Sequence, residues 1–548
     1  MFFFCLAYVQ ITCALKWRPI RWAASSLFQS RLLVVVERGG YVSMTRYLLG
    51  ASAAALMLAS IASPAFAQKE NDTLRISWRE ELPSYDVYYA SPRESVLLSR
   101  LVWDNLVDRD PVTHEYRPLL AESYEWIDEK TLEFKLRRNV TFHDGSPFTA
   151  DDVAYTLNRV SSPEAAVVNP KMVNWIGSVE KVDDYTVRIL MDEPFPAALE
   201  YLAAAVPIYP KAHYESGGPE GMSANPIGTG PYRVVEAVPG TSIKLEKNED
   251  YFPDSPKGQP HIGRIEQRTI PDPQTQVAEL MAGRLDWIWL VPPDIASRLE
   301  TRPNIKVLPG ETMRIGYVAF DTRGTSGVEY FKDRRVRQAV AHALNRDAIA
   351  RNLIGAGSSV IHSACYPSQF GCEQNVRAYE YDPDKARALL AEAGYPSGFS
   401  VDIYGYRERH VTEAIIGDLQ NVGIRANLNS VRFATFKEMN FEGTIPLRHG
   451  AFGAWSINDV SITMEGFFQG EEEDTIHDPE LIAWNSEAKQ IVDQDRRQEL
   501  YTKALRRIAD EAFWVPLHTY VTLYAFNSDL DFQPQPDEVA RFYQARWK

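Results

Sequence analysis

Beyond residue 67 the chain has no apolar run of the roughly 20 residues that a spanning helix needs. The 481 residues that follow carry only two cysteines, Cys365 and Cys372. The first absence argues against a membrane-embedded body, and the second leaves too few thiols for a cysteine-rich zinc site. Positive charge is also scarce: 58 Lys and Arg face 73 Asp and Glu in the whole chain, and 52 face 72 after residue 67, a net charge of −20. That balance excludes nucleic acid, whose phosphates call for a basic face. The ten histidines include no pair at close ligand spacing, so a nickel site would need a chelator to supply ligands. Catalytic signatures are missing as well: no GxSxG, no HExxH, no GxxxxGK, and no GxGxxG after a strand. Gly228-Thr229-Gly230-Pro231 lacks a lysine and leads into a strand pattern, PYRVVE, where a phosphate loop would lead into a helix. The expectation is a protein that is not an enzyme and holds no cofactor or metal; a pair of carboxylates meeting only in space is the arrangement left open.

What is present begins with an export pattern. Residues 1–43 do not read as a folded domain. From Met44 onward, Arg46 gives a positive start, Leu48 to Ile61 an apolar stretch, and Ala65-Phe66-Ala67 a small-x-small cleavage site. The first 43 residues are therefore expected to be a spurious extension and residues 44–67 a signal peptide cleaved after Ala67. With no cysteine at that site to carry a lipid, the mature chain belongs in the periplasm. There, Cys365 and Cys372, separated by Pro367 and Gly371, are expected to form a disulfide closing a small surface loop. The rival is a metal-binding thiol pair, for which His362 alone is insufficient.

Strand and helix signals alternate to the C-terminus, which indicates an α/β class. Leu132, Phe134 and Leu136 alternate with polar neighbours, Asp144-Gly145 marks a tight turn, and Thr149 with Asp152 has capping-box spacing before a helix. His143 and Asp144 read as turn chemistry. Asp272-Pro273 and Asp382-Pro383 open helices that stop at Gly283 and Gly394. In the Asp333 to Leu344 helix, Val336, Ala339, Val340, Ala343 and Leu344 form one apolar stripe, and Arg334, Arg335, Arg337 and Gln338 are expected to face solvent.

The segment FHDGSPFTADDVAYTLNRV, preceded by VWDNLVDRDPVTHEYRPLLAESYEW, resembles extracytoplasmic solute-binding proteins of the peptide, dipeptide and nickel type, family 5, which serve ABC importers. Further resemblance lies in NPIGTGPYRVVE, LEKNEDYF, ELMAGRLDW, FKDRRVRQAVAHALNRDAI and YDPDKARALLAEAGYPSGF, which with the first make six ordered blocks across about 300 residues. The resemblance implies a bilobed, periplasmic-binding-protein-like type II fold of three domains with a ligand cleft between two lobes. One lobe is discontinuous, residues 68–110, 226–311 and 513–548; a smaller domain is inserted at 111–225; the second lobe spans 312–512. It also implies a monomer that captures a peptide or other small polar solute and delivers it to permease subunits in the inner membrane.

In AFGAWSINDVSITMEGFF, peptide-binding relatives carry a tryptophan followed three residues later by an aspartate that pairs with the ligand's ammonium group. Trp455 is in place, but Asn458 stands where the aspartate is expected and Asp459 is one step late. A charge-assisted bond is roughly twice as strong as a neutral one, so either a bulge brings Asp459 in or the ligand lacks a free amino terminus. The resemblance also places Tyr404, Tyr406 and Arg407 or Arg409 against the ligand, an arginine there receiving a carboxylate, and puts Glu80, Glu81 and Leu82 in a cleft-lining loop, where Glu80 offers a substitute carboxylate. A non-peptide ligand, such as an opine, an oligosaccharide or a metal chelate, is the alternative.

Overall fold

The computed structural model describes residues 71–548 except Ser91 and Glu472, and leaves the side chains of Ala205 and Trp455 undescribed. The expected extension, signal peptide and cleavage site lie outside the described residues. In chain order the first strands are β1 (Thr73–Trp78), β2 (Val107–Arg109), β3 (Tyr116–Pro118), β4 (Ala121–Asp128), β5 (Thr131–Leu136), β6 (Ser178–Asp183) and β7 (Thr186–Leu190). Then come β8 (Tyr232–Val238), β9 (Ser242–Lys247), β10 (Arg264–Thr269), β11 (Trp287–Ile288) and β12 (Ile305–Phe320). The C-terminal half adds β13 (Phe399–Gly405), β14 (Ile424–Ser430), β15 (Leu447–Phe452), β16 (Trp514–Asn527), β17 (Leu530–Asp531) and β18 (Arg546–Trp547).

Ten strands form one sheet in the order β14-β13-β15-β12-β16-β11-β1-β10-β9-β8. Its spine is the long antiparallel pair β12 and β16, in register from Ile305 opposite Asn527 to Ala319 opposite Trp514. The register shifts between Glu311 and Ile315 and again between Gly316 and Tyr317; such irregularities bend a strand and sharpen its twist. The β12 side chains divide with the period of two that a strand imposes. Val318 and Phe320 enter one core, while Ile315, Tyr317 and Ala319 enter another on the opposite face. A larger core gathers residues from Leu74 to Ile265, Trp287, Trp289 and the C-terminal Tyr524 to Ala545, and takes in Ala454, Ile457 and Ile462 from the segment after β15, so the two bodies that β12 and β16 link also meet there. This is the bilobed α/β architecture implied by the sequence.

A separate four-stranded antiparallel sheet, β4-β5-β7-β6, carries the alternating stretch. Leu132, Phe134 and Leu136 are buried beside Val153, Leu157 and Val160 of the helix Ala150–Ser161, each burial contributing about 1.5–3 kcal/mol. The cap forms as expected: the Thr149 N–H donates to the Asp152 carboxylate at 2.9 Å, and the same carboxylate accepts the Lys211 N–H at 2.9 Å. His143 ties the turn to the glycine segment. The Gly228 N–H donates to its Nδ1 at 3.3 Å, and its Nε2 lies 3.0 Å from the Gly230 carbonyl, consistent with a neutral ring. Gly228 and Gly230 are there for space, because a Cβ on them would stand 2.0 Å and 2.5 Å from Val102 backbone atoms at the end of the helix Arg93–Val102.

Two expectations need correction. Arg337 is 3 % exposed: its guanidinium donates to the carbonyls of Phe331 (2.8 Å), Lys332 (3.0 Å) and Glu511 (3.0 Å), using a rigid fork of donors that pattern alone had turned outward. Cys365 and Cys372 are joined, but Cys365 is wholly buried, so the bridge anchors its loop to a core instead of closing a surface loop.

Candidate functional site

Between the two bodies lies a cavity of about 460 Å3, in the size range of small-molecule sites. Its walls differ. One comes from Val87 to Ala90, the first turns of the helix Arg93–Val102, and Val167 to Val173; Arg93 is its one cation and its other members are apolar or uncharged. The other comes from β12, the end of β13, the helix Phe433–Phe441, β15 and Glu473, and it supplies Arg314, Arg407, Lys437 and Arg448. Glu473 is the lone carboxylate in the lining, 3.8 Å from Lys437.

These cations are unequally satisfied. Arg93 pairs with Glu538 at 2.9 Å. The Arg407 Nε sits between both Glu408 oxygens at 2.8 Å, which leaves its two terminal nitrogens without a hydrogen-bond partner among the described residues. Arg314 has Glu538 at 4.0 Å as its nearest carboxylate, and its guanidinium lies so close to Gly453 that a Cβ there would be 3.1 Å away. Burial, reinforced by the neighbouring charges of Arg407 and Arg93, lowers the Arg314 pKa against the pull of Glu538. Arg448 is 2 % exposed, gives one N–H to Asn440 Oδ1, keeps a buried Nε with no partner, and forms no ion pair among the described residues. Desolvation lowers its pKa too. Aromatic rings complete this wall: Tyr406 packs against Phe433 and Phe436, and Phe467 meets Tyr317 and Phe452 edge-on.

Of the residues nominated from sequence, the structure brings Tyr406 and Arg407 to the cavity. The Tyr406 hydroxyl donates to the Ala451 carbonyl at 2.9 Å, which fixes its ring in the wall. Tyr404 remains in β13, outside the lining. Arg409 pairs with Glu413 on an exposed helix face. Glu80 and Glu81 are exposed and Leu82 is buried, none of them lining the cavity.

The Trp455 turn serves the junction between bodies. Ala454 and Ser456 both take positive φ, 48° and 64°, a strained region for residues other than glycine that persists where surroundings over-determine it. Here they do: Arg93 donates to Ser456 Oγ, Arg109 to the Ser456 carbonyl at 3.0 Å, and Ser456 Oγ to the Asp537 carbonyl at 2.7 Å. The Asn458 backbone N–H donates to Glu200 Oε1 at 2.7 Å, and Arg109 stands 3.4 Å from the same carboxylate. Asn458 is 6 % exposed, with its Oδ1 buried and unpartnered. Asp459, expected at the ligand, accepts both contacts from Arg497 Nη2 at 3.1 and 3.0 Å and the Ser461 N–H at 2.9 Å. Neither Asn458 nor Asp459 lines the cavity.

Sequence reading missed Arg93, Arg314 and Arg448. Arg448 did leave a signal, a lone cation inside the apolar strand LRHGAF, which a buried strand tolerates only with a purpose. Among the described residues no group of three or more His, Cys, Asp or Glu is arranged to hold a metal, and no helix is long and apolar enough to cross a membrane.

Comparison with known proteins adds the following. Residues 115–474 match the family model described as bacterial extracellular solute-binding proteins, family 5 Middle. Heme-binding protein A of Haemophilus influenzae is 29 % identical over 460 residues, covering 76 % of this chain and 82 % of the relative. Glutathione-binding protein GsiB of Pectobacterium atrosepticum is 27 % identical over 519 residues, covering 91 % and 98 %. The solved structure of HbpA2 from Haemophilus parasuis superposes with a TM-score of 0.76 at 26 % identity, covering 87 % of this chain and all of that one.

Proposed function

The chain belongs to the bacterial extracellular solute-binding proteins of family 5, and from that premise we propose that it captures a peptide-like solute in the periplasm and delivers it to the permease subunits of an ABC importer. The observation that carries this reading is the cavity between the two bodies that β12 and β16 connect, a geometry suited to closure around a ligand. Nothing covalent is required: ligand shifts the population toward the closed form, and the closed form docks. Relatives named for glutathione, a tripeptide, support a peptide-like ligand. In this reading Tyr406 and Arg407, with Arg93, Arg314 and Arg448, face the solute, and Asn458 and Asp459 hold the junction. Export uses the segment from Met44, cleaved after Ala67.

A thermal-shift and calorimetric screen of di- to oligopeptides tests the reading. Ligand at about 100 times its Kd should add about 2.7 kcal/mol of stability without being consumed; turnover of the bound compound would point instead to a hydrolase. N-terminal sequencing of the exported protein should begin at Gln68. One observation favours a non-peptide solute as the second reading: Glu473, the carboxylate in the lining, already faces Lys437, so a ligand's ammonium group finds no uncommitted anion.

A further inference from the structure

We propose that the solute is an organic acid bearing two separated carboxylates and no required ammonium group, one carboxylate received by Arg314 beside Arg93 and Arg407, the other by Arg448 beside Lys437. This rests on the solute-capture reading and specifies its ligand.

Charge balance leads to it. The lining contributes five cations and one carboxylate, Glu473. Including the carboxylates ion-paired to those cations adds Glu408 and Glu538, which still leaves two positive charges in excess. Closure expels water, and a buried charge without a counter-ion costs several kcal/mol. The excess falls on Arg314 and Arg448, whose carboxylate contacts are one at 4.0 Å and none. Tyr317, Glu473, Asp474 and Asp321 act on Arg448 through space, yet among the described residues no carboxylate pairs with its guanidinium, whose Nε has no partner. A planar guanidinium with unused N–H groups matches a carboxylate in a forked pair. Met172, Val173, Phe436, Phe452 and Phe467 give the lining apolar stretches that would cover the carbon skeleton joining the two acids.

The test is calorimetry on the full mature chain with N-acetyl-Ala-Glu, its mono-amides, Ala-Ala and Ala-Lys, at low and high salt. The diacid should bind at least about tenfold more tightly than either mono-amide, the worth of one charge-assisted hydrogen bond, and weaken as salt rises. Arg314→Gln and Arg448→Gln should each cost the diacid about tenfold. Should Arg448→Gln fail to fold, Arg314→Gln and the salt dependence still decide. Tighter binding of Ala-Ala or Ala-Lys, or indifference to both substitutions, would overturn the inference while leaving solute capture standing. Solute extracted from protein isolated from the periplasm gives the remaining outcomes: a diacid by mass spectrometry supports the proposal, a neutral or basic compound defeats it, and no solute together with no binding defeats the capture reading as well.

Discussion

Tyr406-Arg407 and Asn458-Asp459 each join a neutral polar side chain to a charged one, and the fold uses the two pairs in opposite ways. The first pair follows β13 and opens onto the cavity, with two guanidinium nitrogens of Arg407 uncommitted. The second follows β15 and is buried in contacts with Glu200 and Arg497. A side chain's chemistry is therefore available to a ligand only where the protein has not already used it, and that depends on partners contributed by distant segments.

The largest effect that would break this contrast comes from Asp459→Ala. Removing one member of a buried ion pair leaves Arg497 charged and unpaired, and unfolding stability should fall by about 3–5 kcal/mol; a urea midpoint close to wild type would show that the pair is not structural. A buried acid that forms no ion pair among the described residues, with Arg93 acting on it only through space, is the control. Glu94 is 1 % exposed, and burial pushes its carboxyl up to about 7 from an ordinary value of 4.5. The folded state thus holds this proton more tightly than the unfolded one. Its contribution is complete below about pH 4.5 and lost as pH rises through about 7, a change on the order of 3 kcal/mol. Glu94→Gln should flatten the stability profile between pH 4.5 and 8, and an unchanged slope would contradict the assignment.

A smaller effect should follow from Glu200→Gln, which weakens the charged acceptor joining the Asn458 turn to Arg109. About 2 kcal/mol of stability should be lost, and ligand affinity should fall with the closed population; equal affinity in denaturation-matched samples would remove the turn from the closing interface. Smallest in stability is Arg407→Gln. Its pair with Glu408 is one-third exposed on the arginine side, so the cost should stay within about 1 kcal/mol while affinity for an acidic solute drops. Loss of stability without loss of affinity would place Arg407 with Asp459, among residues that serve the fold.

The sequence and the structure agree wherever the signal is local. The alternation in TLEFKL became β5, Thr149 and Asp152 formed their cap, and Asp272 and Asp382 accept the N–H groups of Thr275 and Lys385 at helix starts. Arg337 shows where locality fails: its position on the helix wheel is correct, but the carbonyl of Glu511, 174 residues away, draws it inward. The site was legible in part. The resemblance, with their place after a strand, singled out Tyr406 and Arg407, which line the cavity, whereas Arg314 lines it with no signal in the sequence.

By itself, the sequence determined the α/β class, the family, the net negative charge and the helix and strand boundaries, because each depends on composition or on residues a few positions apart. Only the tertiary structure decided which charges are spent. Asp459 meets Arg497 38 residues on, and Arg93 meets Glu538 across 445; whether a buried charge is paired or left for a ligand depends on distances in space that no local spacing records.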